Sequence, residues 1–311
     1  MSSPCILQVG PLTERFNRGL AEDYEVHALW EHDAEALLAE WGERIDIVVT
    51  SSRFGCSAEL IQRLPRLRAI CSFGVGYDAI DVEAARARGI PVSNTPDVLN
   101  DCVADLAFGL VLDTARQMSR ADRFVREGAW PEQAFPLARK VSGKRLGIVG
   151  LGRIGQAVAR RSSGFDMEVR YHNRRPVADC PYSYESSLLA LAHWADFLVL
   201  TCVGGADTRH LIGRDVLEAL GPEGILVNVA RGSVVDEAAL VEALRDGRIG
   251  GAGLDVFAHE PQVPAALREM PQVVLLPHIG SATQETRLAM ERLLLDNLSA
   301  FLERGEMLTP V

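Results

Sequence analysis

Arg145-Leu146-Gly147-Ile148-Val149-Gly150-Leu151-Gly152-Arg153-Ile154-Gly155 is the stretch on which the fold turns. The aliphatic run Arg145–Val149 predicts a short buried strand, and Gln156–Arg161 predicts the start of a helix. Three glycines in G-x-G-x-x-G spacing separate them. The first suits a tight turn, the second lets backbone approach a pyrophosphate, and the third lets the helix pack closely on the strand. The helix start adds unsatisfied N–H groups and the positive end of a dipole. An ordinary glycine-rich turn can show the same spacing. Strand, spacing and helix agree here, so Gly150, Gly152, Arg153, Ile154 and Gly155 are expected to hold a dinucleotide.

Reading outward, a second strand over Glu168–Tyr171 ends at His172-Asn173-Arg174-Arg175. Many NAD sites place Asp or Glu about 20 residues after the glycines, to accept from the ribose 2′-OH. This chain has Asn173 there, followed by two cations. Arg174 and Arg175 attract a 2′-phosphate that a carboxylate would repel, so NADP(H) is expected, with NAD as the weaker alternative. A merely solvated basic turn is the bland reading of the same residues.

Strand-like runs alternate with helix-length segments along nearly the whole chain, the pattern of parallel α/β sheets. The early strands are expected at Cys5–Val9, Glu25–Leu29, Ile45–Thr50, Ala69–Phe73 and Ile90–Ser93. The later ones are Arg145–Gly150, Glu168–Tyr171, Phe197–Thr201, Ile225–Val229, Gly251–Phe257 and Val273–Leu276. Between the two series, Val103, Leu106, Ala107, Leu110, Val111, Met118 and Val125 follow helical steps, predicting one long helix from Val98 to about Arg126. A loop with Trp130, Pro131, Phe135 and Pro136 follows it. A last helix runs from about Thr283 to Glu303, with Met290, Leu294, Leu298 and Phe301 on one face.

A length of 311 residues makes one large or two ordinary domains. The 32 basic against 42 acidic residues leave a net charge of −10, which argues against nucleic acid or an anionic membrane as partner. No apolar stretch is long enough for a membrane span, and the N-terminus Met1-Ser2-Ser3-Pro4-Cys5 lacks the basic start of a signal peptide. Six scattered cysteines without a CxxC pair predict thiols in a reducing, cytoplasmic setting. The seven histidines form neither HExxH nor a Cys/His cluster, so no metal is expected.

Three further signals stand just past the later strands, where open α/β sheets bind ligands. They are Arg231 after Asn228-Val229-Ala230, Glu260 in Asp255-Val256-Phe257-Ala258-His259-Glu260-Pro261, and His278 in Pro277-His278-Ile279-Gly280. Singly, they read as a turn cation, a helix-start carboxylate and a satisfied histidine. Together, downstream of the glycine-rich turn, they point to a catalytic constellation.

With these residues in view, the chain resembles the D-isomer-specific 2-hydroxyacid dehydrogenase family. The branch it resembles most is that of glyoxylate/hydroxypyruvate reductase and hydroxyphenylpyruvate reductase. The likeness rests on SFGVGYDAID at 72–81, SGKRLGIVGLGRIG at 142–155, NVARGSVVDEAAL at 228–240, GAGLDVFAHEP at 251–261 and LPHIGSAT at 276–283. It implies two Rossmann-like or flavodoxin-like parallel-sheet domains, the dinucleotide domain (99–284) being inserted into a discontinuous substrate domain (1–98 plus 285–311). It also implies reduction of a small 2-oxo acid to the D-2-hydroxy acid, with Arg231, Glu260 and His278 as the active residues.

Histidine suits proton donation near neutrality, and a carboxylate such as Glu260 beside it favours the charged ring. Arg231 offers a forked donor to the substrate's carboxylate and carbonyl. Gly74, Val75 and Gly76 are expected to turn backbone N–H groups toward the same carboxylate. By the resemblance, Asp255 meets the nicotinamide carboxamide, Val103 faces the ring, and Cys202 and Val203 lie along the adenosine ribose. Val229, Ala230 and Gly280 complete the cofactor contacts. A homodimer through the dinucleotide domain is implied as well. The alternatives are a hydroxyphenylpyruvate or phosphoglycerate-type dehydrogenase and a dinucleotide-sensing protein like the family's co-repressors. A formate dehydrogenase fits worse, since that branch carries Gln where Glu260 stands.

Overall fold

Strands buried on both faces need apolar residues at every position rather than at alternate ones, and Ile47–Ser51 and Ala69–Phe73 are buried throughout. The computed structural model describes residues 4–311; the reading of Met1, Ser2 and Ser3 lies outside the described residues. The chain divides into two compact units, Met1–Leu99 with Gln284–Val311, and Asn100–Thr283.

The first unit runs β1 (Cys5–Gln8), α1 (Glu14–Asp23), β2 (Glu25–Ala28), α2 (Ala34–Trp41), β3 (Ile47–Ser51), α3 (Ala58–Gln62), β4 (Ala69–Phe73), α4 (Val82–Ala87) and β5 (Val92–Ser93). Its strands pair in parallel in the order β2-β1-β3-β4-β5, a flavodoxin-like winding. Helix starts are written in the sequence: Thr13, Asp33, Ser57 and Asp81 each accept a backbone N–H of the first turn. The chain's last helix, Gln284–Arg304, returns to this unit and buries Met290, Leu294, Leu298 and Phe301. Its Glu291 is also buried, and it accepts hydrogen bonds from Thr13 and Arg15.

The second unit opens with α5 (Asn100–Arg116) and α6 (Met118–Arg126). The expected single helix over this stretch is therefore two. Gln117 adopts a left-handed φ of 54°, and the Asp113 carboxylate accepts from the Ser119 N–H at 2.8 Å, recapping the chain beyond the break. No Gly or Pro marks the break, so periodicity alone ran straight across it. There follow β6 (Arg145–Val149), α7 (Arg153–Ser162), β7 (Glu168–His172), β8 (Ser183–Tyr184), α8 (Leu188–Trp194), β9 (Phe197–Leu200), α9 (Arg214–Leu220), β10 (Ile225–Asn228), α10 (Glu237–Arg245), β11 (Gly251–Leu254), α11 (Ala265–Glu269) and β12 (Val273–Leu275). The closing helix of the first unit is accordingly α12.

All seven strands of the second unit are parallel, in the order β12-β11-β10-β9-β6-β7-β8. Renumbered within the unit, this is the doubly wound 3-2-1-4-5-6 order extended by one strand, and its switch point lies between β6 and β9. The two-residue edge strand β8 has no counterpart in the expected set. Strand β11 stops at Leu254, three residues before the expected end, because Asp255 turns its side chain into a loop contact described below. Gly253 in β11 lets α5 lie close: a Cβ there would stand 2.8 Å from Thr114 Oγ1 and 3.1 Å from Leu110 Cβ. Among the described residues, no helix is long and apolar enough to cross a membrane.

Candidate functional site

Because every strand of the seven-stranded sheet is parallel, the segments after β6, β7, β9, β10, β11 and β12 all leave from one edge of it. Every site residue expected in this unit except Val103 belongs to one of these segments or to the start of α7. The glycine-rich turn is built as its spacing requires. Gly150 has φ +100°, and a Cβ on it would meet Cys202 Cα at 2.5 Å. A Cβ on Gly155 would meet the Gly150 carbonyl oxygen at 2.3 Å. Gly152, which caps α7, would meet nothing within 4 Å, so its outer side is open to a ligand. Thr201 Oγ1 donates to the Gly150 carbonyl at 2.7 Å, tying the turn to the end of β9.

Asn173, Arg174 and Arg175 follow β7 on the far side of this turn. The carboxamide oxygen of Asn173 accepts from the Leu151 N–H at 2.7 Å, so this side chain braces the glycine-rich loop. Both arginines are exposed, and Arg174 Nη1 lies 3.4 Å from Asp207 Oδ2. After β9, Val203 is exposed, while burial pushes the Cys202 thiol up to about 11. Cys202 is thus a neutral, weakly polar wall rather than a nucleophile.

The other corner gathers around Asp255. This buried carboxylate accepts from Ile279 N at 2.7 Å and Gly280 N at 2.8 Å, and the Asp255 carbonyl accepts from His278 N at 2.9 Å. Burial pushes its carboxyl above the usual range, only partly offset by those N–H groups and the nearby His278. The clamp holds His278 at a left-handed φ of 56°. Val103, buried on α5, closes the same corner, its γ-carbons 3.5 and 3.7 Å from where a Gly280 Cβ would lie.

His278 Nδ1 and Glu260 Oε2 are 2.7 Å apart, and Glu260 Oε1 accepts from the Phe257 N–H at 3.1 Å. Burial raises the Glu260 carboxyl, but the His278 hydrogen bond and charge, the Phe257 N–H and the Arg231 charge outweigh it. The net position is below the usual carboxylate range. With Nδ1 engaged, the ring's Nε2 is the nitrogen left for chemistry, and His278 is partly exposed.

Arg231 sits two residues past Val229, on a turn held by Asn228, whose amide donates to the Arg231 carbonyl at 2.9 Å and whose oxygen accepts from Ala230 N at 3.0 Å. Gly232 is where this turn touches the Glu260 loop, since a Cβ there would lie 1.9 Å from the Phe257 carbonyl carbon. Glu237, the first residue of α10, accepts from the Ala258 N–H at 3.2 Å. Sequence reasoning passed over Asn228, Glu237 and Thr201 as supports, although the first two stand inside quoted motifs. In the other unit, Gly74 (φ +121°) opens the turn after β4, pinned by its N–H to Thr95 Oγ1 at 2.9 Å.

A doubly wound parallel sheet with an open glycine-rich turn at its switch point, and an imidazole–carboxylate pair on the same edge, defines an α/β protein of the dinucleotide-binding class. Residues 108–280 match the family described as D-isomer specific 2-hydroxyacid dehydrogenase, NAD binding domain, and the chain belongs to the D-isomer specific 2-hydroxyacid dehydrogenase family. It is 45% identical over 307 residues to the hydroxyphenylpyruvate reductase of Plectranthus scutellarioides, covering 98% of both chains. To glyoxylate/hydroxypyruvate reductase A of Arabidopsis thaliana it is 43% identical over 312 residues, covering 100% of each. Among solved structures, it resembles the NADPH-dependent glyoxylate/hydroxypyruvate reductase of Sinorhizobium meliloti in complex with NADP and malonate. That likeness has a TM-score of 0.94 at 45% identity, over 100% of this chain and 97% of the other.

Proposed function

We propose that this protein is an NADPH-dependent reductase of small 2-oxo acids, with glyoxylate and hydroxypyruvate as its leading substrates. The observation that carries the reading is the His278–Glu260 contact of 2.7 Å on the sheet edge that also presents the open glycine-rich turn. Unit Asn100–Thr283 is assigned the cofactor and unit Met1–Leu99 with Gln284–Val311 the substrate.

The residues present fit a dinucleotide. Gly152 and the start of α7 suit the pyrophosphate, Cys202 and Val203 the adenosine ribose, and Arg174 and Arg175 a 2′-phosphate. Val103, Val229, Ala230, Asp255 and Gly280 line the nicotinamide end. When bound, the reduced nicotinamide supplies a hydride. This chain's residues do the rest. Arg231 holds and orients the 2-oxo acid by its carboxylate and carbonyl. His278, as imidazolium, gives the Nε2 proton to the developing alkoxide and becomes the neutral Nδ1–H ring. The Glu260 carboxylate, accepting from Nδ1–H, favours the charged form and fixes the ring's orientation.

Hydroxyphenylpyruvate is the second reading, favoured by the Plectranthus relative. A cytoplasmic homodimer is proposed as well. It is supported by α6, which buries none of its residues and leaves Met118 and Val125 exposed, and by exposed Trp130 and Leu137 beyond it.

The test is NADPH oxidation with glyoxylate, hydroxypyruvate, hydroxyphenylpyruvate and hydroxyacetone. Hydroxypyruvate should exceed hydroxyacetone, which lacks the carboxylate, by about a hundredfold or more in kcat/KM, because hydroxyacetone forfeits the charge-assisted contacts that the forked guanidinium offers a carboxylate. Arg231→Ala should collapse that ratio. Comparable kcat/KM for the acid and hydroxyacetone in the unmodified protein overturns the proposal.

A further inference from the structure

The strand order places β6 between β7 and β9. Arg174 leaves the end of β7 and Asp207 follows β9, yet their side chains meet, with Nη1 3.4 Å from Oδ2. The pair therefore spans the carboxyl end of β6, where the glycine-rich turn begins. Asp207 is not on a loose loop. It lies in the short 3-10 turn Ala206–Thr208, entered through Gly205 at φ 136°, and Thr208 Oγ1 donates to the Val203 carbonyl at 2.8 Å.

We propose that Asp207 is a cofactor-specificity residue that restrains the preference for NADPH by competing with a 2′-phosphate for Arg174. This rests on the dinucleotide reading above. A guanidinium that must grip a phosphate is here already engaged by a carboxylate, and that carboxylate's charge opposes the phosphate's own. Toward an unphosphorylated ribose the same group works the other way, since a carboxylate is an acceptor for a 2′-OH. Asn173 holds the position where NAD sites commonly place that acid, but its oxygen is engaged by Leu151 N–H. Asp207 is the carboxylate that the fold delivers to this corner from the neighbouring strand.

The experiment is equilibrium binding of NADPH and NADH, read by quenching of protein fluorescence or by calorimetry at low ionic strength. The proteins are the unmodified chain, Asp207→Asn, Arg174→Ala and the double variant. Asp215→Asn, an exposed aspartate on α9, controls for net charge. Asp207→Asn should tighten NADPH about two- to fivefold, the range an exposed ion pair's strength allows, while NADH stays the same or weakens. The gain should shrink in 0.5 M salt and in the Arg174→Ala background. Unchanged NADPH affinity in Asp207→Asn, an equal gain in Asp215→Asn, or a full gain without Arg174 overturns the proposal. An unmodified protein that binds both nucleotides equally overturns the cofactor reading instead. Asp207→Asn would still shift the NADPH/NADH ratio in that case if the pair acts as described.

Discussion

Glu260 keeps its charge in a half-buried place because the His278 ring and the Phe257 N–H hydrogen-bond it and the Arg231 charge lies near. Its carboxyl lies below the usual range, so ionised Glu260 stabilises the native state. That contribution is fully present above the ordinary value of 4.5 and is lost as pH falls through the lower native value. Glu260→Gln removes it at every pH. The variant should therefore be less stable by about 1 kcal/mol near neutrality, with the gap to the parent narrowing below about pH 4.5. Urea midpoints at pH 7, 5 and 4 check this, and a gap independent of pH would show that the charge contributes nothing. His278→Ala should lower kcat on the order of a hundredfold or more, since the proton donor is gone. Turnover near the parent's would remove His278 from the mechanism.

At the scale of the element, two glycines on the same sheet edge do opposite work. Gly232 lets the turn after β10 press on the loop that carries Glu260, with no room for a methyl group. Gly152 caps α7 with open space where a methyl group would go and an ordinary φ of −79°. Gly232→Ala should destabilise by about 1–3 kcal/mol through overpacking and drag turnover down with it. Gly152→Ala should melt within a degree or two of the parent yet bind NADPH about tenfold more weakly, because the methyl stands where backbone meets pyrophosphate. Thermal melts beside binding isotherms separate the cases. A Gly152→Ala protein with parental affinity would take the glycine-rich turn out of cofactor binding. The break at Gln117 belongs to this scale too, since beyond it α6 packs Phe124 edge-on against Phe135 but leaves Met118 and Val125 exposed.

At the scale of the molecule, those uncovered residues set the oligomer prediction. The unmodified chain should run as a dimer in light scattering, and Val125→Asp should raise the monomer fraction, since a buried charge on an apolar interface has no partner. A monomeric parent at micromolar concentration removes the dimer.

The sequence by itself determined the two series of parallel strands, the glycine-rich turn and the family, because those features are local: an apolar run, a cap, a glycine at fixed spacing. Arg231, Glu260 and His278 were legible for the same reason, each sitting in a short motif just beyond a strand. Three-dimensional structure alone decided what those motifs do to one another. Glu237 and Thr201 act on backbone groups of other segments, Ala258 N–H and the Gly150 carbonyl, the latter 51 positions away. The stop of β11 at Leu254 and the meeting of Arg174 with Asp207 are equally non-local. Each depends on which strand lies beside which, and a parallel sheet orders its strands through crossovers that leave no periodic trace in the residues they join.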